Sequence, residues 1–240
     1  MKSIITALAV TFALTLLPTT VSAKKVYSPI VKKGEIELEI QSETIRSKNP
    51  ANNGTGKHQL ELAYGMTENW HSGVYTVYEK LPGTPLKYTQ AKWANIIQLS
   101  EPGQYWMDVG LYAEYIWAAP RLAKADVLEL KILLEKTVKQ WKHTLNLVLK
   151  QPLWGTQTST SLGYAWRTRY TTAFDLKPGI EVYGSLGAIN NLQVTNQTHL
   201  IGPVLEYEIM DGIEVDFGWL MDTGEGPAYG AFKFNLELEL

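Results

Sequence analysis

Apolar and polar residues alternate along almost the whole chain after residue 33. In "LAYGMTENWHSGVYTVYEK", residues 62–80, the alternation continues on both sides of a short Thr-Glu-Asn stretch. A period of two predicts β-strands with two different faces, because successive side chains point to opposite sides of a sheet. Ten stretches show the pattern clearly, and residues 73–80 and 86–99 show it less regularly. The ten are residues 34–45, 58–66, 106–117, 126–136, 143–150, 161–170, 179–187, 199–209, 213–221 and 228–240.

Residues 126–150 are the one region where a helix competes with this interpretation. The stretch "LELKILLEKTVKQW" is rich in Leu, Glu and Lys, which all favour helices. However, Leu128, Leu130, Ile132 and Leu134 lie at every second position, and the alternation resumes after Lys139-Gln140-Trp141 with Leu145, Leu147 and Leu149. We therefore predict a β-hairpin, which gives twelve strands in total.

The connections between the predicted strands are alternately short and long. The turns after even-numbered strands, such as "TENW" and "MDG", are short, whereas residues 46–57, 150–160 and 189–199 form longer connections rich in Asn, Gly, Thr and Gln. An even number of antiparallel strands with short turns at one end and long loops at the other is typical of outer-membrane barrels. We predict an all-β fold, a transmembrane antiparallel β-barrel of about 12 strands.

The charged residues of the predicted strands share one face. A soluble sandwich would show the same alternation, with its charges in water. Three features favour the barrel: most strands reach the 9 to 11 residues that cross a bilayer, aromatic residues gather near both strand ends, and the chain ends on a strand that can pair with the first. Trp70, Tyr105, Trp106 and Trp141 lie at the short-turn end, and Trp117 and Trp154 near the long loops.

The charged face then lines the lumen, with seventeen acidic and six basic residues on the inward parity. Such a lumen favours cations if it is open; the alternative is a ladder of ion pairs that braces the barrel. We expect the lining residues to be Glu35, Glu37, Glu39, Glu61, Asp108, Glu114, Glu129, Lys131, Arg167, Arg169, Glu181, Glu206, Glu208, Glu214, Asp216, Lys233 and Glu237.

The first residues have the layout of a secretory signal peptide. Lys2 precedes an uncharged apolar run, residues 4–17, and small residues precede Lys24. The run is too short to span a bilayer. We expect a signal peptide at residues 1–23 with cleavage after Ala23, a short periplasmic segment at residues 24–32, and an outer-membrane barrel at residues 33–240.

Composition excludes several function classes. The chain has no cysteine, a net charge of −2 and a pI near 6.1, so nothing suggests nucleic-acid binding. No two histidines have metal-ligand spacing. The acidic stretch at residues 35–39 could hold Ca²⁺ loosely, but alternate residues on one strand are explained more simply as a lumen wall. We assign no metal and no cofactor.

Catalysis is an alternative that rests on histidine and serine residues. His71 adjoins Ser72, and His58 and His199 lie at the long-loop end, where Ser159 and Ser161 also lie. Lipid hydrolases built on a barrel wall use Ser and His with a third group. Because no motif fixes that geometry, we name no catalytic residue and expect the protein not to be an enzyme.

The stretch "YGMTENW", residues 64–70, resembles a Tyr-Gly-Leu-Thr-Asp-x-Trp strand-turn-strand element of small Gram-negative outer-membrane barrels, including the MetA-pathway phenol-degradation proteins. The resemblance implies an outer-membrane barrel with a transport role, and as partners outer-membrane lipid, the barrel assembly machinery and a small solute. Barrels of this kind usually end in an aromatic residue, whereas this chain ends in Leu240. The sequence leaves the oligomeric state open.

We expect a narrow passive channel for small cationic or neutral solutes. The alternatives are a plugged structural or surface barrel without transport, a barrel-wall lipid hydrolase, and a soluble periplasmic β-protein.

Overall fold

The structure, a computed structural model, describes residues 25–155, 158–195 and 197–240. It confirms the all-β fold, with one strand for each predicted stretch. The long strands are β1 (Ile36–Ser47), β2 (Thr55–Thr67), β3 (Trp70–Lys80), β4 (Lys87–Gln98), β5 (Asp108–Ala118), β6 (Val127–Val138), β7 (Trp141–Pro152), β8 (Ser161–Tyr170), β9 (Leu176–Ala188), β11 (His199–Met210), β12 (Ile213–Asp222) and β13 (Ala228–Glu239), and β10 (Asn191–Leu192) is a two-residue extension.

Helical structure is limited to two single turns among the described residues. They are 3₁₀ turns at Pro50–Asn52 and Pro120–Leu122, both in long connections. No described helix has the length and apolar character needed to cross a membrane. The expected signal peptide and its cleavage site lie outside the described residues.

The twelve long strands close into a ring. Each pairs antiparallel with its neighbours along the chain, and β13 pairs with β1, where Glu39 is opposite Glu237. β8 pairs with β9, and β9 pairs with β11, because β10 only extends the β9 hairpin. A closed sheet leaves no unpaired edge, so every strand satisfies its backbone hydrogen bonds on both sides.

The predicted hairpin at residues 126–150 is present as β6 and β7. Leu130, Ile132 and Leu147 point outward and are exposed, whereas Glu129 and Lys131 point inward and are buried. A helix would place these charges all round its surface. The strand instead directs the apolar side chains Leu130, Ile132 and Leu134 of its middle part outward, so tertiary context overrides helix propensity here.

The start of β1 and the end of β13 both lie at the short-turn end of the barrel. Ile36 and Leu240 exchange backbone hydrogen bonds of 3.0 and 2.9 Å. Exposed Trp106 and Trp141 lie at this end, and exposed Trp117 and Trp154 lie towards the long loops. These aromatic residues occupy the levels at which a barrel meets the two membrane interfaces.

Candidate functional site

The lumen contains a stretch of chain that precedes the first strand. We call residues 25–33 the N-terminal segment. Val26, Tyr27 and Val31 are buried, and they contact side chains that the wall strands direct inward. From the sequence we expect residues 24–32 to form a short periplasmic segment, whereas the side chains of Val26, Tyr27 and Val31 lie inside the barrel.

Two amide side chains of the wall hold the backbone of the N-terminal segment. Asn146 on β7 accepts a hydrogen bond from the Tyr27 N–H and donates one to the Tyr27 carbonyl, both at 2.8 Å. Gln98 on β4 accepts one from the Val31 N–H at 2.8 Å. A segment outside the sheet has no ladder to satisfy its backbone, so these side chains replace one.

Two inward-facing glycines make room for the same segment. A Cβ at Gly110 would lie 2.8 Å from the Pro29 Cβ, and a Cβ at Gly65 would collide with the Lys32 carbonyl. The wall therefore approaches the segment more closely than any other residue type would allow.

A layer of tyrosine and lysine side chains crosses the lumen beside the N-terminal segment. The Tyr27 and Tyr112 rings lie 4.7 Å apart. The Lys131 ammonium is 4.1 Å from the centre of the Tyr27 ring and 4.0 Å from that of Tyr112. Tyr112 also donates a hydrogen bond of 2.7 Å to Glu114. These cation–π contacts tie the segment to β5 and β6.

Carboxylates dominate the part of the wall formed by β13, β1 and β2. Glu39 is directly opposite Glu237 on one side and Glu61 on the other, so three acids form a row across three strands. Like charges directly opposite each other destabilise a sheet. We call Glu37, Glu39, Glu61 and Glu237 the acidic cluster.

The cation of the acidic cluster comes from the N-terminal segment. The Lys25 ammonium lies 2.9 Å from Glu37, 2.6 Å from Glu39 and 3.2 Å from Glu237. Gln41 donates a further hydrogen bond to Glu39 at 2.8 Å. Lys25 therefore holds the segment against β1 and β13 electrostatically.

On the adjoining strands, from β8 to β13, buried acids pair with bases of the wall itself. Lys233 lies 2.7 Å from Glu181 and 2.8 Å from Asp216. Lys177 lies 2.7 Å from both Glu206 and Glu214, and Arg169 forms an ion pair with Glu206. We call this set the wall network; it also includes Arg167, whose guanidinium is 3.6 Å from Glu206.

Smaller ion pairs complete the lining on β4 to β7. Glu129 lies between Lys131 at 3.0 Å and Lys150 at 2.5 Å. Lys92 is 3.3 Å from Glu114, and Lys142 is 2.8 Å from Glu135. Each of these acids is almost fully buried. A buried carboxylate is costly unless it is paired, and each of them has a lysine ammonium as a close partner.

A cavity of about 350 Å³ reaches from the short-turn end to the middle of the lumen. Its lining includes the acidic cluster, Lys25 and, on the far side, Arg167 and Arg169. Glu39, Gln41 and Gln59 are joined by hydrogen bonds of 2.8 Å above it. They separate it from a much smaller cavity, about 10 Å³, next to Lys57 and Lys233.

Most of the residues that we expect to line the lumen belong to the acidic cluster, the wall network or the ion pairs on β4 to β7. Three of the expected residues lie instead at the short-turn end of the lumen. Glu35 precedes β1 and pairs with Lys32 at 2.7 Å. Asp108 begins β5 and accepts a hydrogen bond from the Gly103 N–H, so it stabilises a turn. Glu208 is half-buried and lies opposite Glu214 near the end of β11.

Four inward cations were missed by the sequence analysis. Lys57, Lys142 and Lys177 lie one or two residues outside the predicted strand limits, and the structure extends those strands to include them. Lys25 precedes the first strand. Longer strands with the same parity would have found the first three, whereas no local signal marks Lys25.

Three of the four histidines form pairs with hydroxyl groups of other strands. Ser42 Oγ is 3.0 Å from His58 Nδ1, Thr168 Oγ1 is 2.8 Å from His143 Nδ1, and the Tyr164 hydroxyl is 3.1 Å from His199 Nδ1. His71 instead faces Glu37 at 3.5 Å. Because serine, threonine and tyrosine make the same contact, it is best explained as pairing of polar groups on the wall.

Comparison with solved structures places this architecture among outer-membrane barrels. The COG4313 outer-membrane channel from Pseudomonas putida F1 superposes with a TM-score of 0.63 over 88% of this chain and 97% of that one, at 11% identity. The KdgM porin superposes with a TM-score of 0.57 over 85% and 99%, at 7% identity. The fold is that of an outer-membrane barrel.

The likeness concerns the fold alone at these identities. KdgM has also been solved in complex with disordered oligogalacturonate, with a TM-score of 0.57. No protein-family model and no curated protein matches this chain. The solved structures similar in fold therefore include channels, while the lumen contacts described above are features of this sequence.

Proposed function

We propose that the protein is a narrow passive channel in the outer membrane of a Gram-negative bacterium, taking small cationic or neutral solutes. Two observations support it: the closed barrel shares its fold with a channel and a porin, and a cavity of about 350 Å³ with several charged side chains in its lining enters the lumen from the short-turn end. Export by a cleaved signal peptide at residues 1–23 and a relationship to the MetA-pathway barrels belong to the same proposal.

The observation that carries the proposal is the acidic cluster at the wall of the cavity. Four carboxylates face the lumen there with a single lysine among them, and that lysine belongs to the N-terminal segment. Carboxylates along a confined path raise the local concentration of cations and repel anions. Solutes larger than a hydrated ion pass when the segment moves aside.

Single-channel conductance of the refolded protein, beginning at Lys24, tests this proposal. In a planar bilayer with a KCl gradient, the reversal potential should indicate preference for K⁺. Glu237→Gln should reduce that preference, because it removes charge from the cavity wall. Glu79→Gln, on the inward face of β3 near the long loops, is the matched control. Anion selectivity of the unaltered protein would contradict the proposed role of the acidic cluster in cation preference. An equal change of the reversal potential in Glu237→Gln and Glu79→Gln would also contradict it.

A plugged barrel without transport is the second candidate. Its support is the burial of the middle of the lumen, where Glu39, Glu61, Glu114 and Glu181 are at most 2% exposed. A protein that inserts but conducts nothing, both complete and without residues 24–33, would favour this candidate. Membrane fractionation with the outer-membrane marker proteins of the host tests the location in either case.

A further inference from the structure

The acidic cluster has fewer cations than its charge requires. Lys25 uses one oxygen each of Glu37, Glu39 and Glu237. Glu39 Oε1 and Glu61 Oε2 are both buried without a hydrogen-bond partner. A buried carboxylate oxygen without a partner is costly, and three acids in a cross-strand row add mutual repulsion.

The spacing of these carboxylates suits one ion. Glu37, Glu39 and Glu61 each place an oxygen within 4.8 Å of the other two. Calcium binds carboxylate oxygens at 2.3 to 2.6 Å, so two ligands on opposite sides of one Ca²⁺ are about 5 Å apart. The oxygens are therefore within reach of a single ion without movement of the strands that carry them.

The three ligands come from two paired strands with a fixed register. Glu39 and Glu61 are directly opposite each other on β1 and β2, and Glu37 is two residues away on the same face of β1. Rigid strands define a site better than loops do. The acidic stretch of the sequence, residues 35–39, belongs to one strand, and the register of the sheet adds Glu61 from the next.

We propose that Glu37, Glu39 and Glu61 form a divalent-cation site in the lumen, for an oxygen-preferring ion of the Ca²⁺ class. The site stands apart from transport, since an ion can bind whether or not the barrel conducts. The Lys25 ammonium shares two of its carboxylates, so it and the ion repel each other. Binding of the ion thereby weakens the electrostatic hold on the N-terminal segment.

Calorimetric titration of the refolded mature protein in detergent with CaCl₂ at neutral pH tests the site. We expect saturable binding of one ion per barrel, at a dissociation constant of about 0.1 to 1 mM, the range typical of extracellular calcium-binding modules. Glu61→Gln should weaken binding by about tenfold or more, because it removes one of three charged ligands. Lys25→Met should strengthen it, because a competing cation is lost.

Glu135→Gln is the matched control, since Glu135 is equally buried on β6 and has its own cation, Lys142. Its calcium affinity should equal that of the unaltered protein. The heat-dependent gel shift of folded barrels shows whether each variant is folded. A titration with MgCl₂ should give weaker binding, because Mg²⁺ needs stricter geometry and keeps its waters.

Absence of saturable calcium binding by the folded protein would overturn the proposal, since protons or ammonium groups would then neutralise the cluster. Equal losses in Glu61→Gln and Glu135→Gln would also overturn it. Calcium binding by a barrel that conducts no ions would contradict the proposed channel and support the calcium site. Conductance without calcium binding would contradict the calcium site and support the channel.

Discussion

The wall network and the acidic cluster lie on the same sheet and differ in the origin of their cations. In the wall network, Lys233 and Arg169 reach buried acids from other wall strands. In the acidic cluster, Lys25 arrives from a segment that is not part of the sheet. The first set of ion pairs forms when the strands pair, whereas the second also requires the segment to enter the lumen.

Because of this difference, we expect the wall network to determine the stability of the barrel and the acidic cluster to determine whether the N-terminal segment stays in the lumen. Removing one member of a buried ion pair leaves the other charge unpaired in a medium of low dielectric constant. The partners described above for the wall network all lie on wall strands, so loss of one of them affects the barrel as a whole. The acidic cluster borders a cavity that water can enter from the short-turn end, so loss of Lys25 is offset in part by hydration.

Glu181→Gln gives the largest expected effect. Glu181 is fully buried, bonds the Lys233 ammonium through both oxygens, and accepts a hydrogen bond of 2.7 Å from Tyr183. A neutral amide would remove one of the two carboxylates that lie within 3 Å of the Lys233 ammonium. We expect the free energy of unfolding to fall by about 3 kcal/mol, measured by urea unfolding in lipid vesicles. A change no larger than that of an exposed substitution such as Glu68→Gln would show that the network adds nothing to stability.

Lys25→Met gives a smaller effect on stability and a larger one on the N-terminal segment. It removes three charge-assisted contacts from the acidic cluster. We expect a loss of about 1 to 3 kcal/mol in the free energy of unfolding and faster cleavage of the segment by protease added to the folded barrel. Lys33→Met is the control, because Lys33 is exposed and pairs only at the rim with Glu68. Equal protection in both variants would contradict a holding role for Lys25.

The barrel could be predicted from the sequence because its signals are local and repeated. Charges two residues apart fix the parity of a strand, and one error in register would put every charge of that strand into lipid. The hairpin at β6 and β7 shows the strength of this constraint, since its leucines alternate despite good helix formers. Strand limits were less accurate, and that is why Lys57, Lys142 and Lys177 were missed.

The N-terminal segment could not be predicted in the same way. Residues 25–33, "KVYSPIVKK", show neither period. Their place depends on Asn146, Gln98 and Gly110, which lie on three strands far along the chain. The proximity of Glu61 to Glu39 likewise follows only from the register of β1 and β2. Contacts of this kind are tertiary. They depend on which residues of paired strands lie opposite each other, and a single sequence does not show that pairing.

Gly110→Val changes the fit between wall and segment without altering any charge. The new side chain would overlap Pro29, and overpacking of this kind costs about 1 to 3 kcal/mol. The segment is held by a few hydrogen bonds of about 1 kcal/mol each, so it should yield before the wall does. We expect higher single-channel conductance with a loss of less than about 1 kcal/mol in barrel stability. In a chain without residues 24–33, the same substitution should leave conductance unchanged, and an increase there would contradict this explanation.

Lys32→Gln gives the smallest expected effect, because it removes ion pairs at the exposed rim. Partial burial lowers the pKa of Lys32, but hydrogen bonds to Glu239 and Glu35 outweigh it and raise that pKa above its ordinary value. A raised pKa contributes stability below the ordinary pKa, and the contribution is lost only as the pH rises through the raised value. Unfolding free energy should therefore fall by at most about 1 kcal/mol, equally at about pH 6 and about pH 9. The side chain is 60% exposed, so water screens the pair, and salt should reduce the difference further. A loss as large as that of Lys25→Met would mean that the rim, and not the acidic cluster, holds the N-terminal segment in the lumen.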